Sequence, residues 1–244
     1  MKKKSSGSLK ESFVQSIENK ILSGELKIGD KLPPEREIVE TMGISLTVVN
    51  AGIAELAGKG FVEVRPRQGV FVTDYIHKGT METLVSVMRY NNGKLSPREV
   101  RSFMATRIVL ERLAIETAVK IASNEQIDAL GDYFGRFAEA DDDHDFAEAI
   151  MDYYHDIHSL GGNVLLPLLF HSFRVPSVSL YERFIAKNGR EPVLASARAV
   201  LDGLKNRDAA RACKASEDIL NSAIEGETSI ISLWKMVWME VDYE

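Results

Sequence analysis

The chain has 244 residues, 45% of them hydrophobic and 27% charged, which is enough for one large domain or two smaller ones with real cores and excludes a disordered chain. No apolar run approaches the roughly eighteen residues that span a bilayer. The MKKKSSGSLK start has a positive cluster without an apolar stretch behind it, so neither a transmembrane helix nor a secretory signal is expected and a cytoplasmic location follows.

Net charge is −6, but it is unevenly spread. Residues 1–76 hold 11 Lys and Arg against 10 Asp and Glu, a net +1, while the remainder holds 19 against 26, a net −7. An acidic second part is a poor surface for DNA, and a weakly basic first part has to bind nucleic acid through a few placed cations rather than a broad positive field. The single cysteine, Cys213, has no disulfide partner and no Cys/His cluster of zinc-site spacing around it, so it reads as a structural thiol.

Residues 8–24 repeat Phe13, Ile17, Ile21 and Leu22 at helical spacing and stop at Ser23-Gly24. After GELKIGDKL, Pro33 and Pro34 suit a helix start, because a first turn has N–H groups that proline does not need; the second helix runs to about Met42 and Gly43 stops it. Ser45 then offers an N-cap hydroxyl, and Val49, Ile53 and Leu56 form the inward stripe of a third helix that ends near Gly58-Lys59-Gly60. FVEVR and VFVTD read as strands around the turn Pro66-Arg67-Gln68-Gly69. The set predicts a winged helix-turn-helix.

From Met81 onward the spacing predicts helices at about 81–90, 97–122, 124–140, 145–160, 163–187, 191–205 and 208–225. Ser96-Pro97 is the cap and first turn of the longest. Short connections favour antiparallel neighbours, so the fold class is mainly α: an N-terminal winged helix-turn-helix followed by an antiparallel bundle of six or seven α-helices. The expected boundaries are 1–76 for the winged domain, 77–95 for a connecting helix and linker, 96–228 for an all-helical domain and 229–244 for a tail. In that tail, SLWKMVWMEVDYE places Leu233, Trp234, Val237 and Trp238 on one helical face, suited to packing on the bundle or on a partner.

The ordered words SGELKIGDKLPPERE (23–37), GIS-x-T (43–47) and GFVEVRPRQGVFV (60–72) resemble the GntR family of bacterial transcription regulators, in its FadR-like subgroup. R-x-x-L-E at Arg107 to Glu111 and YYHDIHSLGGN at Tyr153 to Asn163 are similar to the family's ligand-binding domain. The resemblance covers about residues 8–225. It implies a homodimeric regulator, more often a repressor, that binds a palindromic operator in double-stranded DNA and is controlled by a small-molecule effector in the helical domain.

Carried over by position, the DNA-binding residues are Arg36, Ser45, Leu46, Thr47, Asn50, Arg67, Gln68 and Gly69, with Lys59, Arg65 and the Lys2-Lys3-Lys4 arm as further phosphate contacts. Two of these depart from the family pattern, since Leu46 and Asn50 stand where arginines are usual. Arginine pairs with guanine, asparagine pairs with adenine and leucine can only meet a thymine methyl, so an A·T-leaning operator with a shallower salt dependence is expected.

The resemblance implies a small organic effector in the helical domain; Arg107 is the candidate for an anionic group on it, and Tyr154, His158, Arg174, Tyr181 and Glu217 are candidate lining residues, each of which also reads as a helix-packing residue. The other reading of Arg107 is a structural pair with Glu111, four residues on. Many relatives hold a divalent metal through one Asp and three His, but the aligned positions here are Ile150, Tyr154, Ala197 and Glu217, so no metal or other cofactor is expected. A one-residue slip would bring Asp152 and His155 to one face and leaves a metal-dependent sensor as an alternative. A branch that binds acyl-CoA also lacks the metal ligands, and Tyr154 resembles its aromatic replacement. No nucleophile elbow, phosphate loop or zinc-protease helix is present, so no enzyme is expected. The remaining alternative is a ligand-binding or scaffolding dimer that has lost DNA binding.

Overall fold

The computed structural model describes residues 6–231, and the chain divides into two compact units, 1–91 and 92–244. The Lys2-Lys3-Lys4 arm and the SLWKMVWMEVDYE segment lie outside the described residues.

In the first unit, α1 (Ser6–Leu22) is followed by α2 (Glu35–Met42) and α3 (Leu46–Gly58). Pro34 is the N-cap of α2 and its carbonyl accepts from both Glu37 and Ile38 N–H, so the prolines stand just outside the helix. Gly43 takes the left-handed conformation at φ 64° and its N–H donates to the Val39 carbonyl, closing the C-terminus as a glycine does at little steric penalty. The Ser45 hydroxyl then caps α3 by accepting from Val48 N–H at 3.3 Å, which is worth about 1 kcal/mol.

β1 (Val62–Arg65) and β2 (Gly69–Val72) form the antiparallel hairpin, in register Val62 to Val72 and Arg65 to Gly69. Alternation decides which face it buries: Val62, Val70 and Val72 join the core formed by Phe13, Ile17 and Ile21 of α1, Ile38 of α2 and Val49, Ile53 and Leu56 of α3. Gly52 allows α1 to lie close on α3, since a Cβ there would stand 2.3 Å from Phe13 Cδ1. The short α4 (Tyr75–Lys78) leads to α5 (Met81–Arg89), which Thr80 and Thr83 start with a reciprocal capping box.

The second unit opens with α6 (Pro97–Ile121), where Ser96 and Glu99 cap each other's backbone N–H and Pro97 fills the first turn. Two expected helices are each divided. Residues 124–140 form α7 (Asn124–Ala129) and α8 (Tyr133–Glu139) around a 3-10 turn at Leu130–Asp132, because Gly131 weakens the helix there. Residues 163–187 form α10 (Leu166–Ser172) and α11 (Arg174–Asn188), because Pro176 has no N–H for the Ser172 carbonyl and its ring crowds that carbonyl. Between them in sequence lies α9 (Asp143–Leu160), and α12 (Glu191–Lys205) and α13 (Ala209–Ser222) complete the unit. α9 packs on α6, α8, α10 and α11, while α13 packs on α6 and α12. No single helix among the described residues is long and apolar enough to cross a membrane.

Candidate nucleic-acid interface and interior polar group

Because α3 buries Val49, Gly52, Ile53 and Leu56, its opposite face must look outward, and that face carries Leu46, Thr47 and Asn50. Leu46 is 47% exposed, a large apolar side chain left in solvent at the first turn of the helix. Ser45 is exposed too, but its hydroxyl is already engaged as the cap. Arg36 stands exposed in the first turn of α2 and has no ion-pair partner among the described residues. Among the described residues it is therefore a cation left without a carboxylate, free to make a phosphate or base contact.

The hairpin turn places Arg67 at φ 62° and Gly69 at φ 118°, with Arg67 and Gln68 exposed at its tip. Gly69 has a second role: a Cβ there would lie 2.6 Å from Lys31 Cε, so the missing side chain makes room for the Lys31 stem. Lys31 makes a single antiparallel bridge to Phe71 at the edge of the two-stranded wing, supported by Leu32 N–H to Val70 O and Val72 N–H to Asp30 O, both under 3 Å. This wing-side cation was missed by sequence reasoning. The only signal for it is the KL pair before PPERE, which is silent about the pairing.

Two expected phosphate contacts are otherwise occupied. The Lys59 ammonium lies 2.9 Å from Glu18 and 3.1 Å from Glu55 and is largely buried; burial works against its charge, but the two carboxylates raise its pKa. Arg65 pairs with Glu63 and lies over the Phe71 ring at 4.3 Å. The helix-to-strand turn and the hairpin surface use these cations internally.

In the helical unit, four helices bring polar side chains to one interior point. Arg107 and Glu111 face the same way on α6, one turn apart, and both are almost wholly buried. Arg107 Nε donates to Glu111 Oε1 at 2.5 Å and Nη2 donates to the Tyr181 phenol of α11 at 2.7 Å. The Ser216 hydroxyl of α13 donates to Glu111 Oε2. Tyr154, Phe170 and Tyr181 surround the guanidinium with their rings. Burial disfavours the charged guanidinium, but the Tyr181 and Glu111 oxygens outweigh it and hold the pKa above its ordinary value. Burial also pushes the Tyr181 phenol up to about 12, against the pull of Arg107.

His158 lies one turn after Tyr154 on α9, fully buried and stacked on Phe170 with ring centroids 3.9 Å apart. Its Nδ1 is 2.7 Å from the Tyr154 carbonyl, while Nε2 has no hydrogen-bond partner among the described residues. Burial, reinforced by the Arg107 charge, pushes its pKa down to about 4, so the ring is neutral at pH 7. A cavity of about 20 Å³ adjoins Arg107 and Tyr181 and is also lined by Met104, Ser177, Phe184 and Leu220.

Of the six residues expected around an effector, the structure gathers Arg107, Tyr154, His158 and Tyr181. Arg174 and Glu217 do not join them. Arg174 reaches Glu148 and Asp152 in a half-exposed ion network with Arg136, and Glu217 pairs at 2.6 Å with Arg112 at the surface. Arg174 opens α11 two turns before Tyr181, about 10 Å back along the helix, and Glu217 follows Ser216 by one position on α13 and so points about 100° away from it.

The residues do not fit the family's metal. Ile150 and Ala197 are buried apolar groups, and the Tyr153 hydroxyl donates to the Ala197 carbonyl at 2.9 Å where a ligand would be needed. Asp152 is held by Arg136 and Arg174, and no group of three or more His, Cys, Asp and Glu among the described residues is arranged to hold a metal ion.

Comparison with known proteins matches this division. The family of bacterial regulatory proteins called gntR matches residues 9–72, and the FCD domain matches residues 102–222. The HTH-type transcriptional regulator Mce2R of Mycobacterium tuberculosis is 24% identical over 219 residues, covering 88% of this chain and 90% of its own. The Uxu operon transcriptional regulator of Escherichia coli is 41% identical over 58 residues, 24% of this chain and 23% of its own. Among solved structures, Lar, which controls the expression of the Listeria monocytogenes agr system, superposes with a TM-score of 0.63 at 17% identity, covering 92% of this chain and 97% of its own.

Proposed function

This chain belongs to the gntR family of bacterial regulatory proteins and carries its FCD domain, which makes it a DNA-binding transcriptional regulator with an effector-binding helical domain, not a member of an enzyme family; we propose that it is a cytoplasmic, homodimeric repressor. The observation that carries the DNA side is the exposed stripe of Leu46, Thr47 and Asn50 beside an uncommitted Arg36. Asn50 reads adenine, Leu46 meets a thymine methyl, Arg36 and Thr47 complete the contacts in the major groove, and Arg67, Gln68 and Gly69 approach the minor groove. The operator is then a palindrome rich in A·T.

Homodimerisation is supported by apolar surface on the helical unit. Val109 and Leu113 lie exposed one turn apart on α6, and Val164, Leu165 and Leu168 are exposed around the start of α10, which packs on α6. A second copy covering this face accounts for the exposure, and sedimentation of Val109→Glu as a monomer against a dimeric parent is the expected result.

The effector binds at the interior group of Arg107, Tyr154, His158 and Tyr181. A ligand that prefers the helical-domain state in which the recognition helices are misplaced lowers operator affinity by its differential binding to the two states. The test of the DNA reading is selection of bound sequences from a random duplex pool. Enrichment of an A·T-rich palindrome that Arg36→Ala fails to enrich is expected; unspecific binding, or enrichment untouched by the substitution, would overturn the assignment.

A further inference from the structure

We propose that the interior group around Arg107 receives an uncharged ligand presenting a hydrogen-bond donor beside an acceptor, as a primary amide does, and excludes carboxylates. This rests on the reading that the effector binds at that group, and it replaces the anionic ligand that Arg107 by itself suggests.

Charge is the first argument. The Arg107 guanidinium is already balanced by Glu111 at 2.5 Å, and the second Glu111 oxygen takes the Ser216 hydroxyl. The buried group is therefore neutral as it stands. A carboxylate entering it would bring an unmatched negative charge beside Glu111, and an ammonium an unmatched positive charge beside Arg107.

Two unpartnered atoms supply the second argument. A backbone carbonyl only accepts, so the 2.7 Å contact between His158 Nδ1 and the Tyr154 carbonyl places the ring hydrogen on Nδ1. Nε2 is left as a bare lone pair, fully buried and without a partner among the described residues. The Ser177 hydroxyl is likewise fully buried and unpartnered among them, and it faces the cavity shared with Arg107 and Tyr181. Folded proteins rarely leave such atoms unsatisfied without a functional reason. The lone pair of His158 calls for an N–H or O–H, which a carboxylate lacks, and the Ser177 hydroxyl can donate to a carbonyl. Ser177 lines the cavity beside Arg107, and His158, which does not line it, stacks on the Phe170 ring that the guanidinium also approaches.

The cavity of about 20 Å³ has room for about one water, so a larger ligand enters by displacing its wall. Met104 is the wall residue best able to yield, being unbranched and flexible.

The test uses the full chain and two matched probe series, butyramide through decanamide against butyrate through decanoate, read by thermal unfolding and titration calorimetry. Amides are expected to raise the unfolding midpoint and carboxylates to leave it unchanged, with affinity falling about tenfold or more in His158→Phe and in Ser177→Ala. Ser177→Ala removes one hydroxyl from a packed helix and keeps the test available where His158→Phe does not fold. Binding of carboxylates but not amides, lost in Ser177→Ala, would leave the effector site standing and sink the uncharged assignment. Amide binding indifferent to both substitutions would also sink it. Silence from both series would overturn the site itself and this inference with it, while the operator selection judges DNA binding independently.

Discussion

Arg107 on α6 and Tyr181 on α11, 74 positions apart in sequence, meet through a buried 2.7 Å hydrogen bond from guanidinium to phenol. With Glu111 on the guanidinium's other edge, the pair crosses the helical unit as one polar strut. Removing a single charge should be far worse than removing both. Glu111→Leu, which strands a buried guanidinium, is expected to lower unfolding free energy by about 3–5 kcal/mol, while the double change Arg107→Met, Glu111→Leu costs much less than the sum of its parts. Urea unfolding of the two singles and the double completes the cycle, and simple additivity would contradict the strut.

Gly52 lies in the middle of α3, where alanine would ordinarily add about 1 kcal/mol of helix propensity. Here the added Cβ would stand 2.3 Å from Phe13 Cδ1, and Phe13 is wholly buried. Gly52→Ala is therefore expected to destabilise the first unit by about 1–3 kcal/mol, and Phe13→Leu in the same chain to recover part of that loss. A stabilised Gly52→Ala protein in thermal unfolding would show that α1 and α3 do not approach this closely.

The buried, neutral His158 makes stability depend on pH in a defined direction. Its folded pKa of about 4 lies below the ordinary value of 6.5, so between those limits the unfolded chain binds more protons than the folded one. Its contribution is complete above pH 6.5 and is lost as pH falls toward 4, by on the order of 3 kcal/mol. His158→Phe, which keeps the stack on Phe170, should flatten that part of the profile. Measuring the difference in unfolding free energy between parent and variant at pH 7, 5.5 and 4 isolates this group from the others that titrate there; a constant difference would refute it.

For the operator, Asn50→Arg is expected to raise affinity, steepen the salt dependence and move preference at one base pair per half-site from A·T toward G·C. Arg36→Ala should do the reverse for affinity, weakening specific binding by about 1–3 kcal/mol. Selection and fluorescence anisotropy at two salt concentrations separate the effects. An unchanged base preference in Asn50→Arg would place Asn50 away from the base edges.

Lys59 supplies the contrasting control. Because Glu18 and Glu55 already hold its ammonium, Lys59→Met should lower the unfolding midpoint but leave the salt slope of DNA binding unchanged. A slope reduced by about one per subunit would mean that Lys59 leaves its carboxylates for a phosphate.

Much of the first unit is legible in the sequence because its signals are local. The Ser45 cap, the Gly43 stop, the Val49, Ile53 and Leu56 stripe and the alternating wing valines each act within a few residues, and the exposed reading face is the complement of the buried one. The same holds for Ser96, Pro97 and Glu99 at the start of α6. The break between α10 and α11 is local in origin as well, in the effect of Pro176 on the Ser172 carbonyl, but apolar spacing runs on across it and hides it.

Amino-acid order alone thus determined the winged helix-turn-helix, the helical character of the second unit and the residues that α3 turns outward, since backbone geometry translates spacing into faces. Tertiary structure decided which charges remain available. Lys59 and Arg174 became internal partners of carboxylates, Lys31 came to lie against Gly69, and Arg107 met Tyr181 and, through Glu111, Ser216. Those associations join positions far apart in sequence, and they depend on how whole helices rotate and pack to bury their apolar stripes, which no local spacing encodes.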